Sequence, residues 1–208
     1  MKKSKTFPRA ILLLMPFLIL NAYEISEKGY WIGDVEECHA VDGYLGEAIA
    51  NFFVKEEAQS VVDFGCGIGA YVKQICNKGI MAEGYDGNPN TPQLTGGIGK
   101  VLDLSEPVYL GKSFDWVLSL EVGEHLPQQY EKIFIENLIR HARKGIVLSW
   151  AIKNQGGTGH FNEQNNDYIK AVLATYGYIN DLETENLLRR KSFCWFQQSL
   201  MVFRKGKD

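Results

Sequence analysis

The chain has 208 residues, 45% of them hydrophobic and 23% charged, a composition that suits one globular domain with a sizeable core. A formal charge of −3 argues against a protein that tracks nucleic-acid phosphates over a basic face. Cys38, Cys66, Cys76 and Cys194, like His39, His125, His141 and His160, show no metal-type spacing, so reduced thiols are expected and no metal site is read.

Lys2, Lys3, Lys5 and Arg9 precede an apolar run from Ala10 to Leu20, and the first acid is Glu24. About eleven apolar residues behind a basic start have signal-peptide proportions and fall short of the roughly twenty of a membrane span. Ala22 suits the last residue of a cleaved leader, although Leu20 is larger than export signals prefer. A short anchor giving membrane association through residues 10–20, or a true start at Met15, are the other readings. Residues 1–22 are therefore set apart, and 23–208 are taken as one domain.

Val41, Tyr44, Leu45, Ala48, Ile49, Phe52 and Phe53 recur at helical spacing and predict a helix over 41–53. His39 lies just before it. Val61 to Phe64 reads as a short buried strand, and Gly65, Gly67 and Gly69 then let the backbone turn sharply and approach a ligand. Tyr71, Val72, Ile75 and Cys76 continue as a helix closed by Gly79, and Ile80 to Asp86 is a second strand ending in an acid. Residues 87–92 form a turn-rich run with neither period. Short strands follow over Lys100–Leu104 and Phe114–Leu120, the second leading into the loop Glu121–Leu126.

Pro127 suits the first turn of a helix carrying Tyr130, Ile133, Phe134, Leu138 and Ala142, with His141 at its C-terminal dipole. Gly145 to Trp150 is a buried strand, and residues 154–166 form a long loop rich in glycine and amides. Tyr168, Ile169, Val172, Leu173 and Tyr176 predict a core-facing helical stripe. Tyr178–Leu182 and Ser199–Phe203 are the last strands; the basic clusters at 189–191 and 204–207 read as solvated surface.

This alternation implies a single doubly wound α/β domain with a mostly parallel sheet and helices on both faces. In such sheets ligands bind beyond the carboxyl ends of the strands, where Asp63–Gly69, Asp86–Asn88, Asp103–Leu104 and Glu121–His125 all fall. Gly65, Gly67 and Ala70 also fit a dinucleotide fingerprint, which is weak evidence alone. A dinucleotide, however, puts its pyrophosphate at the helix N-terminus, close to Asp63. S-adenosylmethionine carries an ammonium and a sulfonium and no phosphate, and suits an acidic crevice better.

Val61–Gly69 resembles the first motif of the class I S-adenosylmethionine-dependent methyltransferases. Asp86 matches their ribose-binding acid and Asp103-Leu104 their adenine-side pair. Glu121-Val-Gly-Glu124-His125-Leu126 is similar to the Glu-His-Leu/Val loop of their small-molecule members. The resemblance, over roughly residues 39–204, implies a seven-stranded sheet with an antiparallel last strand. It also implies methyl transfer to an unidentified, small-molecule acceptor, with no nucleic-acid partner. The cofactor side is then Asp63, Gly65, Cys66, Gly67, Asp86, Gly87, Asp103, Leu104 and Glu121. His125 and His160 are candidate bases, and His39, Glu124, His160 and Asn162 candidate substrate contacts. An NAD-dependent oxidoreductase on the same fold and a non-catalytic binding module are the alternatives. Supply of the cofactor favours an intracellular location, against the pull of the leader.

Overall fold

The computed structural model describes residues 23–33 and 40–206. The leader, Cys38 and the candidate contact His39 lie outside these residues. The described chain begins with an antiparallel hairpin, β1 (Tyr23–Ile25) and β2 (Trp31–Gly33). It continues through α1 (Gly43–Lys55), β3 (Ser60–Phe64), α2 (Ala70–Cys76), β4 (Met81–Asp86), α3 (Thr91–Leu94), β5 (Gly99–Val101) and β6 (Phe114–Ser119). A 3-10 turn at Gln128–Tyr130 opens α4 (Glu131–His141), followed by β7 (Ala142–Ser149), α5 (Asn166–Thr175), β8 (Tyr178–Asn180), α6 (Leu182–Arg189), α7 (Phe196–Ser199) and β9 (Leu200–Lys205).

Seven strands form one sheet in the order β5-β4-β3-β6-β7-β9-β8. β9 runs antiparallel to both its neighbours, and the other pairings are parallel, as the sequence implied. Strand order reverses between β3 and β6, which opens a crevice at their carboxyl ends. Alternate residues feed two cores because successive side chains leave opposite faces of a strand. Val62, Phe64 and Val117 join Phe134, Leu138, Ile169 and Leu173 of α4 and α5. Val61, Trp116 and Leu118 join Leu45, Ile49 and Phe53 of α1 and Leu188 of α6.

Several expectations are corrected by packing. Asp42 caps α1 by accepting the amide of Leu45 at 3.0 Å, so the helix starts after Val41. Tyr44, 77% exposed, turns outward against the ring of Phe193. In α5 only Ile169 and Leu173 are buried, while Tyr168 is exposed along its ring and donates its hydroxyl to the buried Glu131. His141 is a core residue rather than a dipole partner. Its Nδ1 meets the carbonyl of Asn137 at 2.8 Å, Nε2 accepts the Leu110 amide at 3.3 Å, and burial lowers its pKa. The basic clusters are partly structural: Arg189 pairs with buried Glu185, and Arg204 with Glu56 and Asp181.

The run after Asp86 contains one helical turn, α3, too short to show a period. α6 was not read either. It is eight residues long, with Glu183 and Glu185 in its first turn and Arg189 in its last, and Asp181 caps it by accepting the amide of Thr184. Among the described residues no helix is long and apolar enough to cross a membrane.

Candidate active site

The glycine turn after β3 is tied to the end of β4. The amides of Gly65 and Cys66 both donate to the carbonyl of Tyr85, at 2.7 and 3.0 Å, and the amide of Gly67 donates to Asp86 Oδ2 at 3.0 Å. Asp86 Oδ1 accepts the amide of Asn88 at 2.9 Å. Gly65 has φ +85°, and a Cβ there would come within 2.2 Å of Val122 Cγ2, so both conformation and space demand glycine.

These loops border a cavity of about 550 Å³. Its walls include Gly65, Cys66, Gly67, Asp86, Gly87, Asp103, Leu104, Glu121, His125 and His160, ten of the residues singled out from the sequence. The volume is within the usual range for a small-molecule site. Among the described residues the wall carries three carboxyl side chains, Asp86, Asp103 and Glu121, and one lysine, Lys28, which sits 2.7 Å from Asp103 and 2.6 Å from Glu106. Asp103 also accepts the amide and hydroxyl of Ser105, and although burial pushes its carboxyl up, the hydrogen bonds from Lys28 and then Ser105 hold it below the usual range.

Asp63, Glu124 and Asn162 stand behind the wall rather than in it. Asp63 is buried under the turn with Oδ2 unpartnered; desolvation, then the nearby charge of Asp86, pushes its pKa up to about 8. The amide of Asn162 donates to the carbonyl of Glu124 at 2.9 Å, its own carbonyl accepts Trp150 Nε1 at 2.6 Å, and its side chain donates to Glu131. Asn162 therefore fastens the 154–166 loop onto the sheet, and the substrate contact expected of it is replaced by a packing role.

Glu121, two residues past the end of β6, has φ +52°, a left-handed conformation unusual outside glycine and asparagine. Its amide donates to Ser149 Oγ at 2.8 Å, while its carboxylate accepts Gln155 Nε2 at 2.6 Å and Ser199 Oγ at 2.9 Å. Burial raises its pKa despite these bonds. Glu124 is completely buried, and desolvation, reinforced by Glu121, raises its pKa well above the usual carboxylate range. The rings of His125 and His160 stand perpendicular, 5.0 Å between centroids, and Trp31 meets His125 edge-on at 5.5 Å.

Sequence reasoning missed the roof. The β1–β2 turn brings Lys28, Gly29, Tyr30 and Trp31 over the cavity, with Tyr30 against Gly87. A Cβ on Gly29 would lie 1.9 Å from the carbonyl oxygen of His125. The only signal was one glycine beside two aromatic residues. Trp195 and Phe196, just before β9, complete the wall.

No family model matches the chain. Tocopherol O-methyltransferase of Arabidopsis thaliana is 29% identical over 167 residues, 68% of this chain and 47% of that protein. A probable tocopherol O-methyltransferase of Oryza sativa subsp. japonica is 30% identical over 129 residues, 53% of this chain and 35% of that protein. The chain thus spans less than half the length of these curated relatives. Among solved structures, magnesium protoporphyrin IX methyltransferase from Synechocystis, with bound SAH, superposes with a TM-score of 0.60 at 17% identity, over 77% of this chain and 81% of that one. A sugar N-methyltransferase from Streptoalloteichus gives 0.63 at 13% identity, over 81% and 89%. With the sheet order and the glycine turn, these likenesses establish that the chain has the fold of the class I S-adenosylmethionine-dependent methyltransferases.

Proposed function

We propose that the chain is an S-adenosylmethionine-dependent methyltransferase acting on a small molecule. The observation that carries this reading is the acidic lining of the crevice: a glycine turn braced by Asp86, with Asp103 on the same wall and the buried Asp63 beneath the turn. Among the described residues, a pyrophosphate would meet Asp86 and Asp103 with no lysine or arginine on the cavity wall other than Lys28, already held by Asp103 and Glu106. A cationic, phosphate-free nucleoside has no such conflict.

The residues fit that cofactor. Asp86 would take the ribose hydroxyls, Asp103 and Leu104 the adenine, and the backbone of Gly65–Gly67 the methionine portion. When bound, S-adenosylmethionine supplies an electrophilic methyl group on a good leaving group. The protein then has to hold the acceptor in line and exclude water. The hairpin roof excludes water, and Trp31, Trp195 and Phe196 supply apolar contact for a ring-bearing acceptor. The relatives named for tocopherol and protoporphyrin methylation favour such an acceptor. His125 and His160 lie on the cavity wall where the acceptor's reacting atom would sit.

Melting temperatures measured with S-adenosylhomocysteine, NAD and NADP test the cofactor assignment: stabilisation by the first alone is expected, and stabilisation by a dinucleotide alone would overturn it. Labelled methyl transfer into a metabolite extract tests turnover. Binding without transfer across such extracts would instead favour a non-catalytic module.

A further inference from the structure

Glu124, His125 and His160 each offer a ligand atom, and the three atoms lie within 4.8 Å of one another. The Glu124 carboxylate is fully buried beside Ala151 and Glu121, and no hydrogen bond of ordinary geometry reaches either of its oxygens. An orphaned carboxylate facing a second carboxylate needs a proton or a cation between them.

The two imidazoles are already oriented. His125 Nδ1 lies 3.1 Å from the carbonyl oxygen of Gly159, and His160 Nδ1 lies 3.2 Å from Glu163 Oε1. A carbonyl only accepts, as does an ionised carboxylate, so each Nδ1 carries a proton, and in the neutral ring Nε2 is then the atom with the lone pair. That is how metal-binding histidines are commonly held, with the far nitrogen donating to an oxygen. The loops are also stapled together. The amides of Phe161 and Asn162 both donate to the carbonyl of Glu124, at 2.8 and 2.9 Å, fixing the His160 loop against the Glu124–His125 turn.

We propose that Glu124, His125 and His160 bind one divalent transition-metal ion of the Mn²⁺, Co²⁺ or Zn²⁺ type. Two imidazoles with one carboxylate favour these ions over Mg²⁺ and Ca²⁺, which prefer oxygen-only sets. His125 and His160 line the cavity while Glu124 closes the cluster from behind, so the remaining coordination positions face the cavity. An oxygen of the ligand there, a hydroxyl or a carboxylate, would complete the shell. This last point rests on the methyltransferase reading; binding of the ion does not. With the ion bound, both histidines serve as ligands, and neither is the base.

The test uses the full, tag-free chain, dialysed against EDTA and then freed of it. Mn²⁺ is titrated with binding followed by loss of the free-ion electron paramagnetic resonance signal. One ion per chain is expected, with Glu124→Gln and His160→Gln each weakening binding about tenfold or more. No stoichiometric binding up to about 1 mM, a free energy of only about −4 kcal/mol, or equal binding by both variants, would overturn the proposal. Circular dichroism verifies folding, and if Glu124→Gln unfolds, the part-exposed His160→Gln decides alone. S-adenosylhomocysteine affinity measured in EDTA is a separate readout: its loss counts against the cofactor assignment, not against the metal site.

Discussion

The amide of Gly67 donates to Oδ2 of Asp86 at 3.0 Å, so one carboxylate at the tip of β4 both braces the glycine turn after β3 and borders the cavity. Each carboxylate oxygen has two acceptor positions, which leaves Asp86 able to receive ribose hydroxyls while holding the turn. Asp86→Ala should weaken cofactor binding at least about tenfold and cost roughly 1 kcal/mol of stability, the worth of a typical internal hydrogen bond. Asp86→Asn should keep most of that stability while still binding more weakly. Calorimetry and urea unfolding measure the two effects separately, and equal losses for both variants would contradict this division of labour.

Gly65 offers a harsher test. Gly65→Ala places a Cβ against Val122 and strains a backbone at φ +85°. The expected cost is about 2 kcal/mol or more, with cofactor binding lost. Adding Val122→Ala should return only the steric share, because the left-handed conformation remains. Full recovery in the double variant would show that the backbone conformation contributes nothing.

Asp63 makes a pH signature. Its folded pKa of about 8 lies above the ordinary value of 3.8, so the native state keeps a proton that the unfolded chain releases. That contribution to stability is complete below about pH 4 and declines as pH rises through about 8. The difference in unfolding free energy between the wild type and Asp63→Asn, followed from pH 4 to pH 9 without ligand, should therefore shift steadily in favour of the variant. A cationic ligand beside Asp63 should also expel the proton. Calorimetric heats at pH 7 in buffers of different ionisation enthalpy should then report proton release on binding, absent in Asp63→Asn. A pH-independent difference would place a charged Asp63 in the native state.

The hairpin roof predicts a split between stability and activity. Gly29→Val cannot keep the turn against the His125 carbonyl, yet the hairpin lies outside the seven-stranded sheet. It should leave the melting temperature within a few degrees of wild type, because the two cores are untouched, while KM for the cofactor rises. Lys28→Met should act in the same direction but more weakly, since its ion pairs are partly solvated. Unfolding of Gly29→Val would make the hairpin part of the core.

Much of the sheet was legible because its central strands are apolar on both faces. Val61, Val62 and Phe64, or Val117 and Leu118, can only be buried between two helical layers. The cofactor side was legible for a related reason: acids and glycines at strand ends are local features. The roof was not legible, because what places Gly29 at the cavity is contact with His125, 96 residues away in the chain. Glu124, His125 and His160 belong to loops after different strands, so spacing hid a proximity that parallel pairing of β6 and β7 creates. Asn162 was misread because an amide-rich loop looks alike whether its side chains face solvent, a ligand or the sheet.

β9 is wedged between β7 and β8, so that β8 joins the sheet only through it, and Ser199, at its threshold, donates to the Glu121 carboxylate. The crevice is thus finished by a residue far along the chain: Ser199 locks a wall begun 78 positions earlier. A nascent chain still holding residues 196–206 in the ribosomal tunnel would possess every glycine and acid of the ligand cradle and yet lack the buttress that sets their shape.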